Sequence, residues 1–384
     1  MGLEQLRFSS VCIRLLPVTN RCIIGLFTTI LIGCKPTVNP RELFAFPIRE
    51  IEDVQSSGSI KIEQEFSCRM EGAWRFGVLD TIIITTKGGI DSTIYHVSGL
   101  RSGVELGHFV RRGRGPDEVI LAGGSFQIRN SSIPLFDAFS GKYFELDVLE
   151  SLRNGRTVYA NRAQLNVSKG KMMAHPRRVL EDKVILFDSA VNTTVNELTH
   201  VPCFSLYDLQ SGNKERDYNC FQKIPMTKQK GSSFLPQDLI TIHVCTDRSE
   251  KRLCFTVNKF PLMCFLDLET GEARGVWIKG KPQFSVHNPV IHFVGCETDG
   301  ERIYSLYHGL PDTAGESPQL YVFDWAGNIL GQYQLDRPYY WVCVDGDKII
   351  LAARKEDAET DDSTSHLYSI DIKEVEKAYA CGDN

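Results

Sequence analysis

One short motif recurs and narrows the folds open to this chain. An apolar strand runs into an aspartate, two variable residues, a serine or threonine, and a glycine. It stands at Phe136-Asp137-Ala138-Phe139-Ser140-Gly141, Tyr207-Asp208-Leu209-Gln210-Ser211-Gly212 and Leu266-Asp267-Leu268-Glu269-Thr270-Gly271, and one residue shorter at Phe323-Asp324-Trp325-Ala326-Gly327. Looser versions stand at Tyr95-His96-Val97-Ser98-Gly99 and Tyr368-Ser369-Ile370-Asp371. The aspartate closes one strand, and the glycine supplies the positive φ that a tight reversal into the next strand needs. The aspartates at 137, 208, 267 and 324 are 71, 59 and 57 residues apart. That is near a propeller blade of roughly 40–50 residues with inserted loops.

The texture between these turns is all-β. Short runs rich in β-branched and aromatic residues, such as Thr81-Ile82-Ile83-Ile84-Thr85 and Lys183-Val184-Ile185-Leu186-Phe187, are bounded by Gly, Asp, Asn and Pro. Six anchors predict a six-bladed β-propeller with four-stranded antiparallel blades. The blades should begin near Gly72, Gly123, Lys171, Asp238, Asn288 and Pro338. First hairpins should turn at Thr298-Asp299-Gly300-Glu301 and Val344-Asp345-Gly346-Asp347. Propellers commonly close by letting one terminus complete the last blade, and the alternating stretch from Ser59 to Phe66 is the natural closing strand. A β-sandwich or two smaller β-domains would not account for such regular spacing. Residues 372–380 form the one plausible helix.

Ahead of this domain, residues 22–33 read CIIGLFTTILIG, an apolar run preceded by Arg14 and Arg21. Twelve residues are too few to span a bilayer comfortably and suit a signal-peptide core. The run ends in Leu31-Ile32-Gly33-Cys34, which resembles the bacterial lipobox: an aliphatic residue, a tolerant position, a small residue, then the cysteine whose thiol receives the lipid. The expected organisation is therefore a lipoprotein signal peptide at 1–33, a lipidated tether at 34–55 and the propeller at 56–384. A second or third acyl chain would make the attachment stable. Lys35 follows the cysteine, with none of the aspartate that resembles an inner-membrane retention signal, so the expected address is the outer membrane, on either face.

The run Gly113-Arg114-Gly115-Pro116-Asp117-Glu118-Val119 resembles the G-x-G-P-G-E-F loop of TolB-like six-bladed propeller lipoproteins. Asp117 stands where glycine is usual, and Val119 where phenylalanine is usual. With the lipobox, the length and the repeated turns, the resemblance covers essentially the whole mature chain. It implies a fold and supplies no catalytic residues. Read without the family, Gly113 and Gly115 permit backbone closed to other residues, Pro116 fixes φ, and Glu118 is placed to satisfy exposed amides or pair with Arg112 or Arg114. No G-K-[ST] follows, so the loop reads as a crossover between blades.

The net charge of −5 argues against a broad nucleic-acid surface, and the basic run Arg111-Arg112-Gly113-Arg114 is followed at once by Asp117 and Glu118. Twelve cysteines contain no C-x-x-C pair, which leaves zinc ribbons and thioredoxin-like motifs unsupported. Most should be buried thiols packing as small hydrophobes, with few or no structural disulfides.

Function in such folds usually sits at the channel mouth. His243 and His292 fall on two successive innermost strands, with His175 near the start of an earlier one. Their convergence would give a divalent-metal site, the one cofactor alternative to none. Tyr340 and Trp341 are candidates for stacking on a flat ligand such as a glycan, and Arg114, Arg177-Arg178 and Arg337 for an acidic one. The recurring aspartates are better explained as turn residues, and no G-x-S-x-G elbow appears. The expectation is a monomeric, non-enzymatic envelope lipoprotein whose propeller binds an unknown small molecule, glycan or protein. The alternative is a lyase or hydrolase acting on a glycan or peptide at the channel.

Overall fold

A strand buried on both faces reads as an unbroken apolar run, and one buried on a single face alternates. The computed structural model shows both. Lys183–Asp188, Cys203–Asp208, Leu262–Asp267 and Gln319–Asp324 are buried almost end to end, whereas Tyr159–Gln164, on an outer edge, alternates half-buried with exposed. The structure describes residues 40–384 apart from 55, 61, 63, 72, 88–91, 123–125, 169–172, 193–196, 223, 225–238, 282–289, 312–318, 356–363 and 381–384. The signal-peptide run and Cys34 lie outside the described residues.

The strands form six small sheets arranged as a six-bladed β-propeller. Blade 1 is Ala73–Leu79, Ile82–Lys87, Thr93–Gly99 and Glu105–Arg111, and blade 3 is Met173–Val179, Lys183–Asp188, Cys203–Asp208 and Lys214–Tyr218. Blade 4 comprises Ile242–Thr246, Arg252–Val257, Leu262–Asp267 and Ala273–Ile278. Blade 5 comprises Val290–Phe293 with Glu297–Thr298, then Arg302–Pro311, Gln319–Asp324 and Ile329–Gln334. Blade 2 departs from four regular strands. Its sheet holds Ser132–Asp137, Lys142–Asp147 and Tyr159–Gln164, and the innermost position is taken by a segment that joins through isolated bridges, Ala122 to Asp137 and Arg129 to Ser132. The expected blade starts fall within a few residues of the observed innermost strands.

Six buried clusters sit one at each blade junction. An open row of six blades would have five junctions. The sixth, where Phe76, Val78 and Ile83 of blade 1 meet Cys343, Ile350 and Leu367 of blade 6, closes the ring.

Closure uses the N-terminal side of the chain, with a shift from the expected register. Blade 6 is Trp341–Asp345, Lys348–Lys355 and Thr364–Asp371, completed on its outer edge by Gln64–Glu71 rather than 59–66. Residues 57–60 instead run along the edge of blade 5, where the Ser57 amide donates to the Gln332 carbonyl at 2.7 Å. Further upstream, Ile48–Ile51 pairs in parallel with the outer strand of blade 4, and Phe44 bridges to Phe221 beyond blade 3. Residues assigned from sequence to a tether are thus, from 43 to 53, a strap docked on the propeller wall. Leu43 and Phe44 are 3% and 2% exposed, which explains the strap: two large apolar groups pull it onto the protein.

Each recurring aspartate caps its turn. Asp267 Oδ1 accepts the Thr270 amide at 2.7 Å, Asp208 Oδ1 accepts the Ser211 amide at 2.7 Å, and Gly271 and Gly212 take φ of +82° and +70°. In blades 3, 4 and 5 the turn joins the third strand to the fourth, but in blade 2 it joins Ser132–Asp137 to the next strand, one hairpin earlier. This accounts for the long first spacing of 71 residues. Ile372–Ala380 is helical as expected; Val148–Asn154 is a second helix, capped by Asp147 and by Gly155 at φ +61°. Seven residues are too few to show a helical period in sequence.

Candidate functional site

The innermost strands converge on a central channel that opens at their C-terminal ends into a basin of about 500 Å3. Its wall carries both charges, with cations on blades 2 and 3, a mixture on blade 4 and carboxylates on blade 5. Arg129, Arg177 and Arg248 face Asp247, Glu250, Glu297 and Asp299, with Gln127, Asn130 and the two threonines Thr246 and Thr298 between them. Arg129 Nε bonds Glu250 Oε1 at 2.6 Å, and Gln127 Nε2 donates to Thr246 Oγ1 at 2.8 Å, tying blade 2 to blade 4 across the rim. Asp247 is held in its hairpin by the Lys251 and Arg252 amides, both at 3.0 Å, and by Arg252 Nε at 2.8 Å. Asp299 accepts the Glu301 and Arg302 amides at 2.7 Å and the Tyr304 hydroxyl at 2.8 Å.

Below the basin the channel narrows to a space of about 20 Å3, room for roughly one water. Arg75, His175, Arg177, His243, Glu297 and Trp341 surround it. The basin therefore ends in a plug of side chains. A backbone irregularity builds part of that plug. The innermost strand of blade 3 shifts register between Ala174 and Arg177, with His175 in the left-handed region at φ +52° ahead of Pro176. Such a bulge re-aims the next side chain. Arg177, 4% exposed, turns into the channel and donates to the carbonyls of Pro176 and Val244. Glu297 is half-buried opposite, and burial pushes its carboxyl up to about 8 against the opposing pull of Arg177. Burial pushes the His243 ring down to about 3, with the charge of Arg75 adding to the effect. Its Nε2 is buried and without a hydrogen-bond partner.

The structure brings some of the sequence candidates together and separates others. His243 and Trp341 meet edge to face at 6.1 Å in the plug, and Trp341 Nε1 donates to the Phe76 carbonyl at 3.0 Å. His175 joins them, but His292 does not. It is fully buried in blade 5, with Nδ1 3.1 Å from the Tyr307 hydroxyl. Among the described residues the three histidines form no ligand group. Tyr340 packs into the junction of blades 6 and 1. Arg178 pairs outward with Glu145 at 2.6 Å, and Arg337 lies 4.6 Å over the Tyr368 ring.

Arg114 is exposed on the crossover between blades 1 and 2, away from the basin. In that loop Glu118 Oε2 accepts the Gly115 amide at 2.8 Å, and Lys142 Nζ donates to the Gly115 carbonyl at 3.0 Å. Neither Gly113 nor Gly115 has a positive φ. A Cβ at Gly113 would lie 2.0 Å from the Glu118 carboxylate, so these are glycines for close approach and not for backbone freedom. Pro116 offers only its carbonyl, to Lys142 at 3.3 Å.

Sequence reasoning missed Arg129, Asp247, Arg248, Glu250 and Glu297. Each is an ordinary polar residue in or beside a first-hairpin turn, and only the radial arrangement makes them neighbours. The placement of Glu297 beside Thr298-Asp299-Gly300, already recognised as such a turn, was the available signal.

No family model matches the chain, and no curated protein matches its sequence. Solved structures do resemble it. A member of the DUF4221 family from Bacteroides vulgatus superposes with TM-score 0.53 at 9% identity, covering 81% of this chain and 98% of that one. Regucalcin, a calcium-binding protein from Agrobacterium tumefaciens, gives 0.42 at 14% identity over 84% and 96%, and BamB from Moraxella catarrhalis gives 0.36 at 11% over 83% and 97%. At such identities the first likeness shows the fold alone. The class defined is a six-bladed β-propeller, and these comparisons do not extend to a TolB-like lipoprotein family.

Proposed function

We propose that this chain is a cell-envelope lipoprotein, acylated at Cys34 and held at the outer membrane, whose propeller is a binding platform. The basin is its binding site. The observation that carries this reading is the basin itself. Its volume lies in the range of small-ligand sites, and its wall presents cations on one side and carboxylates on the other around a closed floor. A polar ligand carrying both charges, such as an amino acid, a short peptide or the exposed loop of a partner protein, matches that wall better than an apolar or uniformly anionic one.

The lyase or hydrolase alternative finds less support in the geometry. Asp247, Glu250 and Asp299 are each committed to a cation or to turn amides, which leaves Glu297 without a second free carboxylate in the basin, among the described residues, of the kind that glycoside hydrolysis uses.

Thermal unfolding of the full chain in detergent, screened against zwitterionic amino acids, di- and tripeptides and neutral oligosaccharides, tests the reading. A saturable rise in Tm with a zwitterionic probe, lost in Arg248→Ala, is expected. No rise with any probe, or turnover of an oligosaccharide, would reject it. The anchor has a separate test: Cys34→Ala should release the protein from membranes, and a variant that stays bound would remove that part of the proposal.

A further inference from the structure

Three thiols that are distant in sequence meet at the junction of blades 4 and 5. Cys245 and Cys254 are directly opposed across the first hairpin of blade 4, so their side chains share one face of the sheet. Cys296, just ahead of Glu297–Thr298 on the innermost side of blade 5, packs onto that face. Its Sγ is 3.1 Å from Cys245 and 3.8 Å from Cys254, and the three sulfurs all lie within 4.8 Å of one another. All three are buried, at 4%, 0% and 3% exposure.

We propose that Cys245, Cys254 and Cys296 form a trigonal thiolate site for a soft monovalent cation of the cuprous type. The ligand chemistry selects the metal. Thiolates about 2.3 Å from a shared ion lie about 4 Å apart, close to the 3.8 Å between Cys296 and Cys254. No histidine, aspartate or glutamate atom joins the group among the described residues, and a set of three sulfurs with no harder side-chain ligand of these kinds favours a soft ion.

Two further observations give the site charge balance and access. Arg177 is buried close enough to interact electrostatically with Cys245 and Cys296, and its cation offsets thiolate charge in a place that otherwise disfavours it. Cys245 also lines the basin and Cys296 lines the plug beneath it, so the cluster borders the channel. Burial holds the three free groups as thiols. Binding therefore exchanges protons for metal: three S–H bonds break, three S–metal bonds form, three protons leave through the basin, and no electron is transferred.

The test is an anaerobic titration of the reduced full chain in detergent with cuprous ion against a chromophoric chelator, followed by X-ray absorption at the copper edge. One ion per chain, three sulfur neighbours at about 2.3 Å and release of three protons are expected. Cys254→Ser should weaken binding on the order of 100-fold, whereas Cys264→Ala, a buried thiol in the junction of blades 3 and 4, should not change it. Absence of binding by the wild-type chain overturns the proposal. So does retention of full affinity in Cys254→Ser, or a Cys245–Cys296 disulfide found by peptide mapping of the untreated protein.

Discussion

The rim and the channel of this propeller treat their polar groups in opposite ways. On the rim, Asp137, Asp208, Asp267 and Asp324 spend their carboxylates on the turns they close, and the backbone edges of blades 4 and 5 are covered by residues 48–51 and 57–60. In the channel, the His243 Nε2 is buried without a partner among the described residues, Arg177 donates to carbonyls, and Glu297 sits where its charge is disfavoured. A group that folding uses is satisfied locally. A ring nitrogen left without a partner and a carboxyl whose charge is disfavoured, together in one closed channel, are better explained by something that arrives from outside.

The contrast can be broken from either side. The largest effect is expected at the strap. Phe44→Ala empties a position ringed by Phe46, Phe221 and Phe260 at centroid distances of 5.3, 5.3 and 6.0 Å, and should cost about 3–5 kcal/mol in denaturant unfolding. A loss below 1 kcal/mol would mean that the strap is only laid against the wall. Next comes Asp137→Ala. Asp137 is 1% exposed and accepts from Ile120, Leu121, Phe139 and Ser140, so removing it strands several donors, at about 2–3 kcal/mol. Gly113→Ala forces Glu118 off the Gly115 amide for about 1 kcal/mol, and ligand binding in the basin should be unaffected.

A separate effect, read against pH, belongs to the acid limb. A histidine whose folded value is lowered binds fewer protons folded than unfolded, so stability rises with pH between the two values. For His243 that window runs from about 3 to 6.5. His243→Gln should flatten the limb only in part, because His175 and His292 are shifted in the same direction by burial. An unchanged limb would place His243 in water.

What could be read from sequence divides along the same line as the physics. The Asp-x-x-(Ser/Thr)-Gly turns are complete within six residues, so their local signature gave the blade count. The closing strand was placed five residues early because 59–66 alternates well, yet 57–60 has a competing edge to join in blade 5. The strap was read as a tether because its anchors, Leu43 and Phe44, are two residues with no periodicity around them. The basin and the thiol cluster were beyond reach for a different reason. Each blade contributes one or two unremarkable residues, and only the cross-strand register and the ring bring Cys245, Cys254 and Cys296, or Arg177 and Glu297, together.

The central claim is that channel polar groups oppose folding where rim polar groups support it, and Glu297→Gln measured across pH tests it most directly. The carboxyl is raised from 4.5 to about 8, so the folded state binds more protons than the unfolded one between those values. The Glu297 contribution to stability is then fullest below 4.5 and is lost as pH rises toward 8. The account predicts that the pH dependence of wild type carries this Glu297 decline over the window, superimposed on the histidine rise below 6.5, while that of Glu297→Gln lacks it, making the variant the more stable protein at pH 8 by on the order of 1–3 kcal/mol. A variant less stable than wild type at pH 8, or one with the same decline, would contradict it.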